Sequence, residues 1–245
     1  ERPAIAARDG LALVAQTGNS GIHGLLVNAN GGANPPFAIS PSPHEEGGGA
    51  WVSYEKPVVA VGSEGSLVAW VERRTEFCVQ PGCAYTRRAQ AQLVTRDGTP
   101  RGPLLTFGEP VPRSAASADG TYLLTFESGH AVVIDAASAI ASAVFPLTAG
   151  PATVFSSGGE YVVPWRRIAG DALLVKRLAP DGSFRAQHET EAPGSPAAIG
   201  AAGTILSLTS QKPSGAPYFG ATGVFAHVAD TFVPRGRDRG RTVSR

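Results

Sequence analysis

The stretch from Pro57 to Trp70 reads Pro-Val-Val-Ala-Val-Gly-Ser-Glu-Gly-Ser-Leu-Val-Ala-Trp, and it shows the unit from which the rest of the chain can be understood. Two short runs of β-branched and small apolar residues flank a turn that ends at Gly65. Such runs favour strands, and a polar residue followed by glycine is typical of a tight hairpin turn, because glycine adopts a positive φ without strain. The stretch therefore predicts a β-hairpin.

The same order of proline, short strand, turn glycine and second apolar strand occurs five times in the 245 residues. The prolines and their turn glycines are Pro3 and Gly10, Pro57 and Gly65, Pro112 and Gly120, Pro151 and Gly159, and Pro196 and Gly203. A third strand, a turn such as Asp97-Gly98 or Asp181-Gly182, and a fourth strand follow the hairpin. Four short strands in about 40 to 55 residues is the size of a propeller blade.

This arrangement resembles the degenerate propeller repeats of exported bacterial proteins. The resemblance implies an all-β fold, a β-propeller of about five blades with four antiparallel strands each, in which Trp70, Phe126 and Trp165 pack between neighbouring blades. The repeats occupy residues 1–234, and residues 235–245, with five arginines, form a basic C-terminal tail. The Trp-Asp signature of WD40 repeats is absent from the sequence, and a β-sandwich is the alternative architecture. A resemblance of this kind implies a fold and not an activity.

Composition and charge restrict the function classes. The net charge of +1 supplies no general field that would attract a nucleic acid. No apolar run reaches the 18 or so residues of a membrane span; the Ala-rich stretch Ala131 to Phe145 is interrupted by Asp135, and the repeat predicts strand, turn and strand there. Because the sequence contains no methionine, we expect that it begins after a removed segment or is a fragment of a longer precursor.

The two cysteines lie in Cys78-Val-Gln-Pro-Gly-Cys83. Pro-Gly at the centre favours a turn that would bring the thiols together, so we predict a disulfide between Cys78 and Cys83. Two free thiols or a zinc site are the alternatives, although zinc would need two further ligands. A disulfide implies an oxidising compartment, and we therefore expect a secreted, periplasmic or cell-surface protein.

Motifs for catalysis are missing from the sequence. It contains neither a Gly-x-Ser-x-Gly nucleophile elbow nor a Gly-rich phosphate loop followed by Lys-Ser/Thr. The one local cluster of histidine and carboxylates, His44-Glu45-Glu46, lies in a Pro/Gly-rich segment, and we predict no metal site and no cofactor. A five-bladed glycoside hydrolase would need carboxylates facing the channel, but the first strand of each repeat carries no acid. We therefore expect no enzyme activity.

Three insertions between the repeats are the candidate binding surfaces, because a rigid scaffold commonly presents its ligand sites on loops. They run from Asn34 to Lys56, from Glu72 to Arg88 and from Ser210 to Gly223. Aromatic side chains there could stack on sugars or anchor a protein, and paired arginines could bind acidic groups. The candidate binding residues are Trp51, Tyr54, Arg73, Arg74, Arg87, Arg88, Tyr218 and Phe219.

The sequence thus predicts a non-catalytic exported propeller that acts as a protein-interaction scaffold or as an accessory subunit of an extracellular or envelope assembly. Its partners are expected to be proteins, with a glycan as a further possibility and no nucleic acid. The alternative function is that of a carbohydrate-binding, lectin-like propeller, and a glycoside hydrolase-like enzyme is the third.

Overall fold

The computed structural model describes residues 3–47, 49–76, 84–166, 172–191, 195–199, 204–211, 223–230 and 241–243. These residues form 21 β-strands in five antiparallel sheets, and none of them lies in a helix. No helix that could cross a membrane therefore occurs in this part of the chain. The chain divides into two compact units, Glu1–Ala152 and Thr153–Arg245.

The first unit contains three sheets whose strands pair in sequence order. Sheet 1 is formed by β1 (Ala4–Arg8), β2 (Leu11–Gly18), β3 (Gly21–Asn28) and β4 (Phe37–Ala38). Sheet 2 is formed by β5 (His44–Glu46), β6 (Ala50–Val61), β7 (Ser66–Thr75), β8 (Tyr85–Val94) and β9 (Pro100–Phe107). Sheet 3 is formed by β10 (Pro112–Ala118), β11 (Thr121–Phe126), β12 (His130–Asp135) and β13 (Phe145–Pro146).

The second unit contains two sheets of the same kind. Sheet 4 is formed by β14 (Phe155–Ser157), β15 (Glu160–Arg166), β16 (Ala172–Leu178) and β17 (Phe184–Glu191). Sheet 5 is formed by β18 (Ser195–Ile199), β19 (Thr204–Gln211), β20 (Gly223–Asp230) and β21 (Arg241–Val243). The last strand lies within residues 235–245, the segment that the sequence analysis set apart as a basic tail, and pairs with β20 from Ala226 to Val228.

The residues of the tight turns explain why strands that are consecutive in the sequence pair with each other. Asp9 and Gly10 have φ angles of 49° and 74°, and Asp119 and Gly120 have angles of 40° and 77°. Two consecutive positive φ angles define the type I′ turn, whose twist matches that of the two strands it joins. The hairpins predicted at Gly10 and Gly120 are thus confirmed. The strands that flank Gly65 and Gly159 also pair as predicted, and Gly203 lies outside the described residues. The strand, turn and strand predicted over Ala131 to Phe145 are confirmed as β12 and β13.

Neighbouring sheets of the first unit bury each other's apolar faces. One face of sheet 2, with Val68 and Trp70, packs on Leu13 and Leu26 of sheet 1. The opposite face, with Leu67 and Ala91, packs on sheet 3, where its partners include Tyr122, Leu124, Phe126, Val132 and Ile134. Trp70 and Phe126 are fully buried, as the interpretation of the repeat requires. Burying a large aromatic side chain contributes roughly 1.5–3 kcal/mol, so these interfaces are the main source of stability.

Sheet 2 differs from the others because three of its strands, β6, β7 and β8, are long. β6 has 12 residues, and β7 and β8 have 10 each, whereas β11 and β12 of sheet 3 have six. The interpretation of Asn34 to Lys56 and Glu72 to Arg88 as loops was therefore wrong for residues 50–56, 72–75 and 85–88, which form strands. Cross-strand pairing of β6 with β7 and of β7 with β8 stabilises these residues as sheet.

Candidate functional site

The first two predicted insertions meet in one extended sheet. Its strands are β5, residues 50–55 of β6, residues 71–75 of β7 and residues 85–89 of β8, and we call this part of sheet 2 the extension. Successive side chains of a strand point to opposite faces, and residues paired across antiparallel strands share a face. The extension therefore has two faces with separate sets of residues, which we call the closed face and the open face.

The closed face continues the surface that packs on sheet 1. Val52 and Tyr54 are 2% and 5% exposed and belong to the same apolar cluster as Trp70. The rings of Tyr54 and Trp70 meet edge to face, with centroids 6.4 Å apart. Burial, and after it the nearby Glu72 carboxylate, raises the pKa of the Tyr54 hydroxyl above its usual value.

Each charged group of the closed face has a partner. Arg88 Nε lies 2.6 Å from Glu72 Oε1, and Gln90 Nε2 donates to Glu72 Oε2 at 2.5 Å. Trp70 Nε1 donates to Gln90 Oε1 at 3.2 Å, which continues the chain of polar contacts into the core. Arg74 Nη1 lies 3.1 Å from Glu46 Oε2. These partners satisfy the arginines within the protein, so this face offers little free charge to a ligand.

The open face carries two rows of side chains across the strands. Trp51, Thr75 and Tyr85 form the outer row, and Ser53, Arg73 and Arg87 form the next. The guanidinium carbons of Arg73 and Arg87 lie 4.8 Å and 4.9 Å from the centroid of the Tyr85 ring. Arg87 Nη2 also lies 3.2 Å from Glu55 Oε1.

Two large aromatic side chains are exposed on the open face, Trp51 by 51% and Tyr85 by 50%. The same face of sheet 2, further along the strands, is buried against sheet 3. The extension remains uncovered because β10, β11 and β12 of sheet 3, with six or seven residues each, are shorter than β6, β7 and β8 of sheet 2, with ten or twelve. The exposed aromatics therefore result from a difference in strand length between neighbouring sheets.

The structure sorts the predicted binding residues into three groups. Trp51, Arg73 and Arg87 lie together on the open face. Arg74, Arg88 and Tyr54 lie on the closed face, where Tyr54 belongs to the core and not to an exposed loop. Tyr218 and Phe219, as well as Cys78 and Cys83 of the predicted disulfide, lie outside the described residues, so that their interpretation stays a prediction.

Tyr85 and Glu55 also lie on the open face, although neither is among the predicted binding residues. A signal for Tyr85 exists: it stands two residues before Arg87, as Thr75 stands two residues after Arg73, and a period of two places each pair on one side of a strand. Without the knowledge that both segments are strands, this period could not be recognised.

The histidine and carboxylate cluster has ordinary structural partners. His44 Nδ1 lies 3.1 Å from the Ser42 carbonyl oxygen, and His44 Nε2 lies 3.9 Å from Glu46 Oε1. Glu46 is already paired with Arg74. Within the described ranges, no group of three or more histidine, cysteine or acidic side chains is placed to hold a metal ion.

Comparison with known proteins identifies the fold. No family model and no curated protein matches the chain. Among solved structures, the WD40 domain of Neurospora crassa Pan2 is similar with a TM-score of 0.53 and 12% identity, over 93% of this chain and 61% of that chain. Kuenenia stuttgartiensis hydrazine synthase is similar with a TM-score of 0.57 and 11% identity, over 94% of this chain and 62% of that chain.

The chain thus spans about three fifths of the length of both proteins. At these identities the likeness concerns the fold alone. WD40 domains are propellers whose blades are four-stranded antiparallel sheets. Four sheets of this chain have four strands that pair in sequence order, and sheet 2 has the same order with a fifth strand, β5, at its edge. The prediction of an all-β propeller, built from degenerate repeats, is confirmed: the chain has a β-propeller fold.

Proposed function

We propose that this chain is a non-catalytic propeller that serves as a protein-interaction scaffold and binds its partner on the open face of the extension. The observation that carries the proposal is the exposure of Trp51 and Tyr85 beside Arg73 on one rigid sheet. Tryptophan, tyrosine and arginine are the residues most enriched among those that dominate protein interfaces. A sheet holds them in place before binding, which lowers the entropy lost on association.

One further observation supports a function without catalysis. The strand segments that begin at or near the five repeat prolines contain no acidic residue; they are Ala4 to Arg8, Val58 to Val61, Pro112 to Ala118, Phe155 to Ser157 and Ser195 to Ile199. Glycoside hydrolysis needs a pair of carboxylates. In this proposal the protein is exported and carries the predicted disulfide between Cys78 and Cys83, which lie outside the described residues.

The test is purification of the tagged chain from the cells that make it, followed by native mass spectrometry. The wild-type chain is expected to retain a second protein in a fixed ratio. The double variant Trp51→Ser/Tyr85→Ser is expected to recover at least about tenfold less of it, because truncation of such anchors typically costs 2 kcal/mol or more. The matched control is Ile140→Ser, which changes a side chain that is 67% exposed elsewhere in the same unit.

A chain that purifies alone, or a double variant that keeps its partner, would contradict the proposal. A glycan array distinguishes the carbohydrate-binding alternative. Specific sugar binding by the wild-type chain that is lost in the double variant would replace the protein partner by a carbohydrate ligand.

A further inference from the structure

Arg73 differs from its neighbours in having no acidic partner among the described residues. The other three arginines of the extension each lie close to a carboxylate: Arg74 at 3.1 Å, Arg87 at 3.2 Å and Arg88 at 2.6 Å. No described residue forms an ion pair or a side-chain hydrogen bond with Arg73, and its Nε, like that of Arg87, is buried without an acceptor. An unpaired guanidinium that is partly removed from water is an unfavourable arrangement in the isolated protein.

The surrounding charges increase this imbalance. Arg87 lies directly opposite Arg73 in the register of β7 and β8, where side chains are separated by roughly 5 Å, so the two cations repel each other. Glu55 is engaged by Arg87. Glu45 shares the open face but lies two strands away from Arg73, at a distance of roughly 10 Å or more from the sheet spacing. The centre of the open face therefore carries a local excess of positive charge.

The geometry of Arg73 fits a carboxylate. Its guanidinium carbon lies over the Tyr85 ring, 4.8 Å from the centroid. A guanidinium held over an aromatic face can still offer its Nη donors to a planar acceptor. A carboxylate accepts two parallel hydrogen bonds from such an edge. Trp51 and Tyr85 lie on either side of the Arg73 strand and supply apolar contact for the residues that flank the acid.

We infer that the partner presents an acidic peptide segment to the open face, with a glutamate or aspartate carboxylate bound by Arg73 between Trp51 and Tyr85. The inference rests on the proposed function, because it names the chemistry of the partner that the scaffold binds. This inference accounts for the absence of an acidic partner of Arg73 among the described residues, because the binding partner supplies the carboxylate.

The test uses a labelled hepta-glutamate peptide and the intact chain. The Nε–Hε signals of the arginines are followed by NMR during titration, and the Arg73 signal is identified from Arg73→Lys. We expect the Arg73 signal to shift and saturate, and the affinity to fall as ionic strength rises, since salt screens exposed charges. Arg73→Gln is expected to weaken binding by about tenfold, the effect of one charge-assisted contact. Arg74→Gln, a matched change on the closed face, is expected to leave the affinity unchanged.

Three results would overturn the inference: an Arg73 signal that does not move, equal binding by Arg73→Gln, or equal binding of an uncharged peptide in which serine replaces glutamate. Oligogalacturonate binding in the absence of glutamate binding would also overturn it, in favour of an acidic glycan. The two proposals fail separately. If the native partner is lost from Trp51→Ser/Tyr85→Ser but retained by Arg73→Gln, the scaffold function stands and the acidic segment does not.

Discussion

The two faces of the extension contain the same residue types in opposite environments. Each face has two arginines and at least one aromatic ring. On the closed face Arg74 and Arg88 are paired with acids of the chain, and Tyr54 is buried. On the open face Arg73 has no acidic partner among the described residues, and Tyr85 is half exposed. The comparison teaches that adjacent arginines on a strand meet different environments: Arg74 is paired with an acid of the chain, and Arg73 has none among the described residues.

The largest expected effect concerns Glu72, the centre of the closed face. Glu72→Ala would remove the acceptor of the buried Gln90 amide, which is 3% exposed. An unsatisfied buried donor costs about 1–3 kcal/mol, and we expect this loss in the free energy of unfolding measured with urea. The Arg88 ion pair adds little, since 53% of the Arg88 side chain is exposed to water.

Glu72→Gln is the matched control, because the amide keeps an acceptor for Gln90 and removes only the charge. It is expected to cost less than Glu72→Ala. Equal costs would mean that the charge, and not the buried hydrogen bond, holds this face together.

The next effect is a pH dependence that comes from the same face. The raised pKa of Tyr54 means that the unfolded chain releases this proton first, at about pH 10, while the folded chain retains it. The free energy of unfolding should therefore fall as the pH rises above about 10, and Tyr54→Phe should reduce the decline. Unfolding in urea, repeated at pH values below and above about 10, measures this fall in the free energy of unfolding.

Tyr122 contributes to the same decline, because burial raises its pKa to about 12. The Tyr122→Phe variant separates the two tyrosines, and the double variant should show the smallest decline. If the free energy of unfolding of Tyr54→Phe fell with pH as steeply as that of the wild-type chain, water would reach the Tyr54 hydroxyl and the closed face would not be buried there.

The smallest effect is expected from the exposed arginines. Arg74→Gln breaks an ion pair between half-exposed groups and should lower the free energy of unfolding by less than about 1 kcal/mol. Arg73→Gln should change it by no more than about 0.5 kcal/mol, because the lost contact with Tyr85 is offset by relief of the repulsion from Arg87. A large cost for Arg73→Gln would show that Arg73 stabilises the sheet and would remove the distinction between the faces.

Much of the fold could be predicted from local chemistry. Glycine at Gly10 and Gly120 marks a conformation that other residues rarely adopt, so the hairpins can be recognised without knowledge of the third dimension. The fold also forms without the Trp-Asp signature, because apolar side chains of other kinds can fill the space between neighbouring sheets and stabilise their packing. Trp70 and Phe126 could be assigned to the core for this reason.

The site could be predicted only in part. Trp51, Arg73 and Arg87 were recognised as exposed binding residues by type, but their common face depends on the pairing of β6 with β7 and of β7 with β8. Gly47 to Gly49 and the six prolines from Pro35 to Pro81 favour loops locally. Long-range cross-strand pairing outweighs that preference, and a single sequence does not display it.

A one-residue irregularity in β6 governs which side chains face water. Glu55 pairs with Val71 and Val58 with Ala69, so that β6 holds one residue more than β7 between these positions, and Lys56 there has a φ of 54°. Because of the added residue, even-numbered residues of β6 lie on the closed face before the irregularity, and odd-numbered residues lie on the corresponding face after it. Deleting Lys56 would exchange the two sets, turning Trp51 and Ser53 inward and Val52 and Tyr54 outward. The composition of the proposed binding surface thus depends on whether β6 holds an odd or an even number of residues between its two ends.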